Sequence, residues 1–302
     1  MAEPHRPAVA GERGWAAAGG ERTAPGSAPP EKLRLGGMAL ANGLLVHGPT
    51  HWAAAARAPD GAIRVASGAK PRVRGVERVP GARGVARLAE AFAVIPLVKR
   101  ALPEARLPFQ NGGVLAAAAG TVAAGSLLKR RAGTGGEVAA AVLSLAPALV
   151  ALRGGELAAY HGTEHKVIGA YETEADAEDA SKEHDRCGSH LVVPMMVSNL
   201  AGAALLKRLV RRPGPLAGGA VALASLGAAV EVFAWSERHA DTRVARALRR
   251  PGFELQRALG TREPTEEQLE VGHAALDEIL RAEGVRAPDG SQPGPQAAVG
   301  ER

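Results

Sequence analysis

Hydrophobic and polar positions along this chain fall into three registers. Between residues 33 and 66, short apolar runs sit among turn residues: Leu33-Arg34-Leu35-Gly36-Gly37, then His51-Trp52 leading to Arg57, then Ala62-Ile63-Arg64-Val65-Ala66. The two runs around Pro59-Asp60-Gly61 predict a β-hairpin, because Pro and Gly favour the dihedrals of a tight turn. Over residues 84–102 the apolar positions Val85, Leu88, Ala89, Phe92, Ile95 and Val98 recur at helical spacing, with Arg87, Glu90 and Lys99 between them. This predicts an amphipathic helix suited to an interface, kinked or ended early by Pro96.

The third register is apolar throughout. Residues 114–128, 138–152, 191–206 and 213–235 carry almost no charge. A bilayer core of about 30 Å needs roughly 20 helical residues, so only the last run is comfortably long and the others must draw on flanking residues or a thinned bilayer. A soluble bundle of buried helices is the competing reading. Four spans would place both termini and residues 153–190 on one face, and basic residues on both faces leave the orientation open. Beyond the spans, Thr265-Glu266-Glu267-Gln268 after Pro264 has the form of a capping box. Leu269, Val271, Leu276, Ile279 and Leu280 then supply one apolar face of a helix ending near Gly284.

Together these patterns predict a mainly α fold: a multi-pass membrane helical bundle with a small N-terminal β-hairpin region and flexible termini. The expected divisions are a tail at 1–30, a β-containing region at 31–80, a helical core with the motif below at 81–250, a C-terminal amphipathic helix region at 251–283 and a tail at 284–302.

Composition sharpens this only in part. The chain has 46% hydrophobic residues but 3% aromatics, with 38 glycines, a small-residue bias that suits closely packed helices and that GC-rich coding also produces. A net charge of +6 admits nucleic acid or anionic lipid as partner. The position of the cations favours lipid headgroups: Lys129-Arg130-Arg131, Lys207-Arg208 and Arg211-Arg212 flank apolar runs and form no basic stripe with aromatics. The expected partner is therefore the lipid bilayer of a cell membrane and not nucleic acid, with protein partners and a homo-oligomeric state left open. A single cysteine, Cys187, excludes an intrachain disulfide, and residues 1–30 do not read as a cleaved signal peptide.

The chemistry lies between the second and third apolar runs. In Tyr160-His161-Gly162-Thr163-Glu164-His165-Lys166, the two histidines are four apart and share one helix face, so both imidazoles can reach one ion while Glu164 lies on the adjacent edge. The order His-x-x-Glu-His is that of the inverted zincins, in which the Glu moves a proton between water and leaving group. A short pattern arises by chance, and helical histidines are usually structural or solvated. Here His184 and Cys187, spaced His-x-x-Cys, offer further donors. Glu231 interrupts the last apolar run, where a carboxylate is costly unless paired, protonated or ligating. It is either a further ligand or an ion-pair partner of Arg238.

At these residues the chain resembles the YqhQ-like family of uncharacterised bacterial membrane proteins, commonly labelled metal-dependent enzymes. The resemblance covers roughly residues 33–275. It rests on Leu35-Gly36-Gly37 with Gly43 and Gly48-Pro49, on the 160–166 motif, on His184 with Arg186-Cys187-Gly188, on Leu255-Gln256, on Thr261-Arg262-Glu263-Pro264, and on Glu267-Gln268-Leu269-Glu270. It implies a multi-pass membrane protein and names no substrate. The family's N-terminal segment has Gln, Glu and Arg where this chain has Met38, Asn42 and His47, so any contribution of that segment to the site is altered here.

The leading expectation is thus a membrane-embedded metal-dependent hydrolase. His161 and His165 would be ligands, with Cys187, His184 or Glu231 completing the shell, Glu164 acting as general base, and Lys166 and Arg186 holding an anionic substrate group. The cofactor expected is a divalent metal, with zinc favoured by the His and Cys donors and iron or manganese as alternatives. The rival is a non-enzymatic membrane scaffold or transport-related protein with a structural metal, and a peptidase is a weaker third reading.

Overall fold

A computed structural model describes residues 32–72, 75, 82–131, 133–211 and 213–285. The tails expected at 1–30 and, except for its first two residues, 284–302 lie outside the described residues. From Leu33 onward the described chain forms one compact unit.

The chain enters an antiparallel meander of β1 (Gly36–Leu40), β2 (Gly43–His47), β3 (His51–Arg57) and β4 (Ile63–Ala69), hydrogen-bonded in that order. The expected hairpin is the β3–β4 pair: Gly61 adopts φ 84° and the Asp60 carboxylate accepts from the Ala62 N–H. A second hairpin, β1–β2, precedes it and turns at Ala41-Asn42. Buried Asn42 fixes this turn by donating to the Arg57 and Glu104 carbonyls and accepting from the Arg106 N–H.

The helices follow as α1 (Ala82–Ala93), α2 (Ile95–Ala101), α3 (Gly112–Arg131), α4 (Gly133–Leu143), α5 (Ala146–Leu152), α6 (Glu156–Thr173), α7 (Val192–Leu209), α8 (Pro215–Arg238), α9 (Arg243–Leu255) and α10 (Glu266–Ala282). The amphipathic segment breaks at Val94, and Pro96 sits in the first turn of α2, where its missing N–H costs nothing. Thr265 and Gln268 cap α10 reciprocally, as their spacing predicts.

The sheet is covered on both faces. Side chains alternate with a period of two, so Leu44, Val46, Ala53 and Ala55 pack against Val167 and Ile168 of α6 and Val271, Ile279 and Leu280 of α10. Leu40, Leu45, Trp52, Ala54 and Ala56 pack on the other face against Val94, Val98 and Leu102 around α2. Each fully buried Leu, Ile or Val contributes about 1.5–3 kcal/mol. The alanine run of β3 lets the helices approach both faces closely.

Four helical stretches, Gly112–Lys129, Gly135–Leu152, Gly188–Leu209 and Leu216–Arg238, are long and apolar enough to cross a membrane. At most 17% of any of these windows is buried inside the protein, the reverse of what a soluble bundle core requires. Val122, Leu209 and Leu216 are among the exposed apolar side chains. Glu137, after the first stretch, pairs with Lys129 at 3.7 Å and with Lys207, near the end of the third, at 2.7 Å, tying those ends together. At their opposite ends α6 packs on α5 of the second stretch and α1 packs on α8 of the fourth.

Candidate metal centre

Helix α6 is preceded by Gly155, whose φ of 85° favours glycine, and followed by Glu174 in the left-handed region with φ 58°. One turn apart on it, His161 and His165 bring their ring centroids to 4.4 Å. The chain returns after α6 through residues 174–187 and delivers buried Cys187 to the same point. There Cys187 caps the short 3₁₀ turn Gly188–Leu191, its sulfur accepting from the Ser189 N–H. Cys187 Sγ lies 3.4 Å from His161 Nε2, and one ligand atom from each of His161, His165 and Cys187 lies within 4.8 Å of the others.

The proton positions on the two imidazoles follow from their partners. His161 Nδ1 lies 2.8 Å from the Gly260 carbonyl and His165 Nδ1 lies 2.6 Å from the Lys182 carbonyl. A carbonyl only accepts, so Nδ1 carries the hydrogen on both rings and Nε2 keeps its lone pair. Backbone carbonyls orienting ligand histidines in this way are typical outer-shell partners of metal sites. His165 Nε2 is buried with no hydrogen bond in good geometry, an orphaned acceptor of the kind an ion satisfies. Burial holds His165 below the ordinary histidine pKa, with the Cys187 thiol opposing, so the ring is neutral as a ligand must be. A tetrahedral zinc separates such donors by roughly 3.3–3.6 Å, a range that includes the 3.4 Å between Cys187 Sγ and His161 Nε2. The donor set and its orientation therefore fit a divalent ion.

Glu164 meets the site from the sheet side. The Gly37 N–H donates to its carboxyl, and a Cβ at Gly37 would lie 2.8 Å from that group, so β1 touches Glu164 only because residue 37 is glycine. Desolvation raises the Glu164 pKa, while His161, His184 and the Gly37 N–H oppose the shift.

Residues 156–282, from the first residue of α6 to the last of α10, match the family described as "Protein of unknown function (DUF1385)". The chain is also 35% identical over 135 residues to the uncharacterized protein YqhQ of Bacillus subtilis (strain 168). Over this region the chain is similar to these proteins of unknown function. The alignment with the Bacillus YqhQ protein spans 41% of this chain and 40% of that protein, less than half of either. No solved structure matches.

The remaining residues that the YqhQ-like motifs point to are placed differently. His184 stands beside the cluster, its ring 5.6 Å from that of His165, but both its nitrogens are engaged: Nε2 with Glu172 at 3.3 Å and Nδ1 with the Arg186 N–H at 3.2 Å. Arg186 also pairs with Glu172, so the carboxylate clamps the 184–187 loop to α6. Burial alone would raise Glu172, and hydrogen bonds from His184 and Arg186 outweigh it and hold its pKa below the usual value. Lys166 is buried and engaged by the Glu178 carbonyl and, at 2.6 Å, the Glu263 carboxylate. Glu231 lies in α8, outside the His161, His165 and Cys187 group. Met38 packs in the core against α2 and Asn42 holds its turn, so neither joins the cluster.

Residue patterning did not single out Glu172, Gln256 or the carbonyls of Lys182 and Gly260. Fully buried Gln256 opens a π-helical turn, Gln256–Gly260, that continues α9 and aims the Gly260 carbonyl at His161. Its side chain accepts from the His184 N–H and donates to the His184 carbonyl and Ser189 hydroxyl. Two signals marked this region, the Leu255-Gln256 pair and Arg262, whose N–H donates to the Ala158 carbonyl of α6.

Proposed function

We propose that this protein is a membrane-embedded, metal-dependent hydrolase whose ion is held by His161, His165 and Cys187. The supporting observation is the buried, unpartnered His165 Nε2 facing two further donors whose orientation is fixed from behind. Three protein ligands leave one tetrahedral position free, the arrangement of catalytic rather than structural zinc sites. An ion bound there supplies a Lewis acid that polarises a substrate carbonyl or phosphoryl oxygen. Glu164, adjacent to the ligands and raised in pKa by desolvation, takes a proton from the attacking water and returns it to the leaving group. His184, Arg186 and Glu172 hold the loop. Zinc suits the mixed nitrogen and sulfur donors. The four apolar stretches set this chemistry at the surface of a cell membrane.

The test is metal content by plasma mass spectrometry on detergent-purified protein. About one zinc per chain is expected, absent from a His161→Ala, His165→Ala double variant and retained in Glu164→Gln, which would lose turnover. Loss of metal from Glu164→Gln would instead make that residue a ligand. Absence of metal from well-folded wild type would overturn the hydrolase reading in favour of a membrane scaffold.

A further inference from the structure

Apart from the metal cluster, the described residues enclose a cavity of about 490 Å³ between the sheet, α1 and the C-terminal end of α8. That size admits a small ligand or a lipid headgroup. Its lining is strongly cationic: Arg34, Lys70, Arg72, Arg87 and Arg186 face it against only two acids, Glu90 and Glu237. With Glu172, which pairs with Arg186, the acids leave two positive charges in excess among the described residues. Arg34 pairs with Glu237 at 3.0 Å and Arg186 with Glu172, whereas neither Arg72 nor Arg87 forms an ion pair among the described residues. Lys70 lies among these charges. Burial, with Arg87 and Arg72, holds its pKa below the ordinary lysine value against the pull of Glu90 and Glu283. Cations gathered round one half-open cleft raise the local concentration of anions there.

Position narrows the chemistry. Phe233 and Glu237, in the last turns of the Leu216–Arg238 stretch, line the cavity, as do Ala86, Arg87 and Glu90 of amphipathic α1. A cavity at the end of an apolar stretch lies at headgroup height, where phosphate is the prevailing anion. Guanidinium groups match phosphate oxygens in bidentate pairs, and the two unpaired arginines, Arg72 and Arg87, suit a phosphate better than a single carboxylate. We propose that this cavity binds a phosphate ester, carried by an anionic membrane lipid or a soluble molecule of the same chemistry. The assignment rests on the cavity alone and does not require the metal.

The test uses the full chain in neutral detergent, titrated with phosphatidylglycerol, phosphatidylcholine or glycerol 3-phosphate while thermal unfolding is followed, with and without chelator. A ligand of the folded state raises the midpoint as ln(1 + L/Kd), where L is the free ligand concentration, which gives an apparent Kd. Expected is saturable binding of phosphatidylglycerol, with Kd raised at least tenfold in a Lys70→Gln, Arg87→Gln variant. Binding of glycerol 3-phosphate with the same dependence extends the site to soluble esters, and its failure to bind restricts the site to lipid. Should the double variant not fold, Arg72→Gln at its exposed position is expected to raise Kd several-fold. The proposal is overturned if wild type binds neither ester, if phosphatidylcholine with its neutral headgroup binds as well, if the variants bind like wild type, or if chelator abolishes binding and so assigns it to the metal centre.

Discussion

His47, the last residue of β2, gives a pH dependence whose size follows from the structure. Its ring packs against Gly36, where a Cβ would lie 3.0 Å from His47 Cε1, and faces the cationic cavity. Burial, reinforced by Lys70, lowers its pKa from 6.5 to about 4. Because the folded value lies below the unfolded one, the unfolded chain takes up the proton first as pH falls. The stability contributed by neutral His47 is present above about pH 6.5, declines between 6.5 and 4, and has levelled off below 4. From these two values the loss between pH 7 and pH 5 is about 2 kcal/mol, and the limit below pH 4 is about 3 kcal/mol. For a chain of this size, 2 kcal/mol corresponds to about 3–4 °C in Tm. The assay is thermal unfolding of wild type and His47→Gln in detergent with chelator present, at pH 7 and pH 5. Other groups lowered by burial, such as His165, titrate in both proteins and cancel. The variant should lose about 2 kcal/mol less than wild type over that interval. Equal losses would refute the enclosure of His47 beside Lys70.

Two further predictions address the metal centre and its frame. In cobalt-substituted protein the thiolate-to-cobalt charge-transfer band should be present in wild type and absent from Cys187→Ser, whose metal affinity should fall by more than the roughly 100-fold that loss of an outer-shell partner costs. A Cys187→Ser protein with unchanged spectrum and affinity would remove the thiol from the site. Gly162→Ala places a Cβ against the Arg262 carbonyl, a backbone collision that should cost about 3 kcal/mol by denaturant unfolding, whereas an unchanged midpoint would show that residues 260–264 do not pack on α6 as described.

Much of this architecture was legible in the residue pattern, for reasons that vary by element. The α10 cap was legible because Thr265 and Gln268 satisfy each other's backbone locally, without reference to the rest of the fold. The break near Pro96 and the β3–β4 turn were legible on the same local grounds. The β1–β2 hairpin was less so, although Asn42-Gly43 is a hairpin signal, because Leu44-Leu45-Val46 is a short apolar run buried on both faces and lacks polar alternation. The chemical roles show the sharper limit. His161, His165 and Cys187 were named from residue type and spacing. Spacing cannot show that both His184 nitrogens are engaged by Glu172 and the Arg186 N–H, or that Lys166 meets Glu263 almost a hundred residues away.

Those distant partners also explain why the family match runs over residues 156–282 rather than over the motif alone. His161 has the tautomer a ligand needs only because the Gly260 carbonyl, presented by the π turn after α9, takes its Nδ1–H. Cys187 reaches His161 only because Gln256 grips His184 and Ser189 on either side of it, while Glu172 holds His184 and Arg186 from α6. Gly162 admits the Arg262 backbone against the same helix turn that carries His161 and His165. Even the loop carrying Cys187 runs directly into the apolar Gly188–Leu209 stretch, so its position depends on how that helix is seated. The smallest unit able to orient the three donors is therefore the whole stretch from α6 to α10, since removing either end takes away a carbonyl or a contact that no residue of the His-x-x-Glu-His motif can replace.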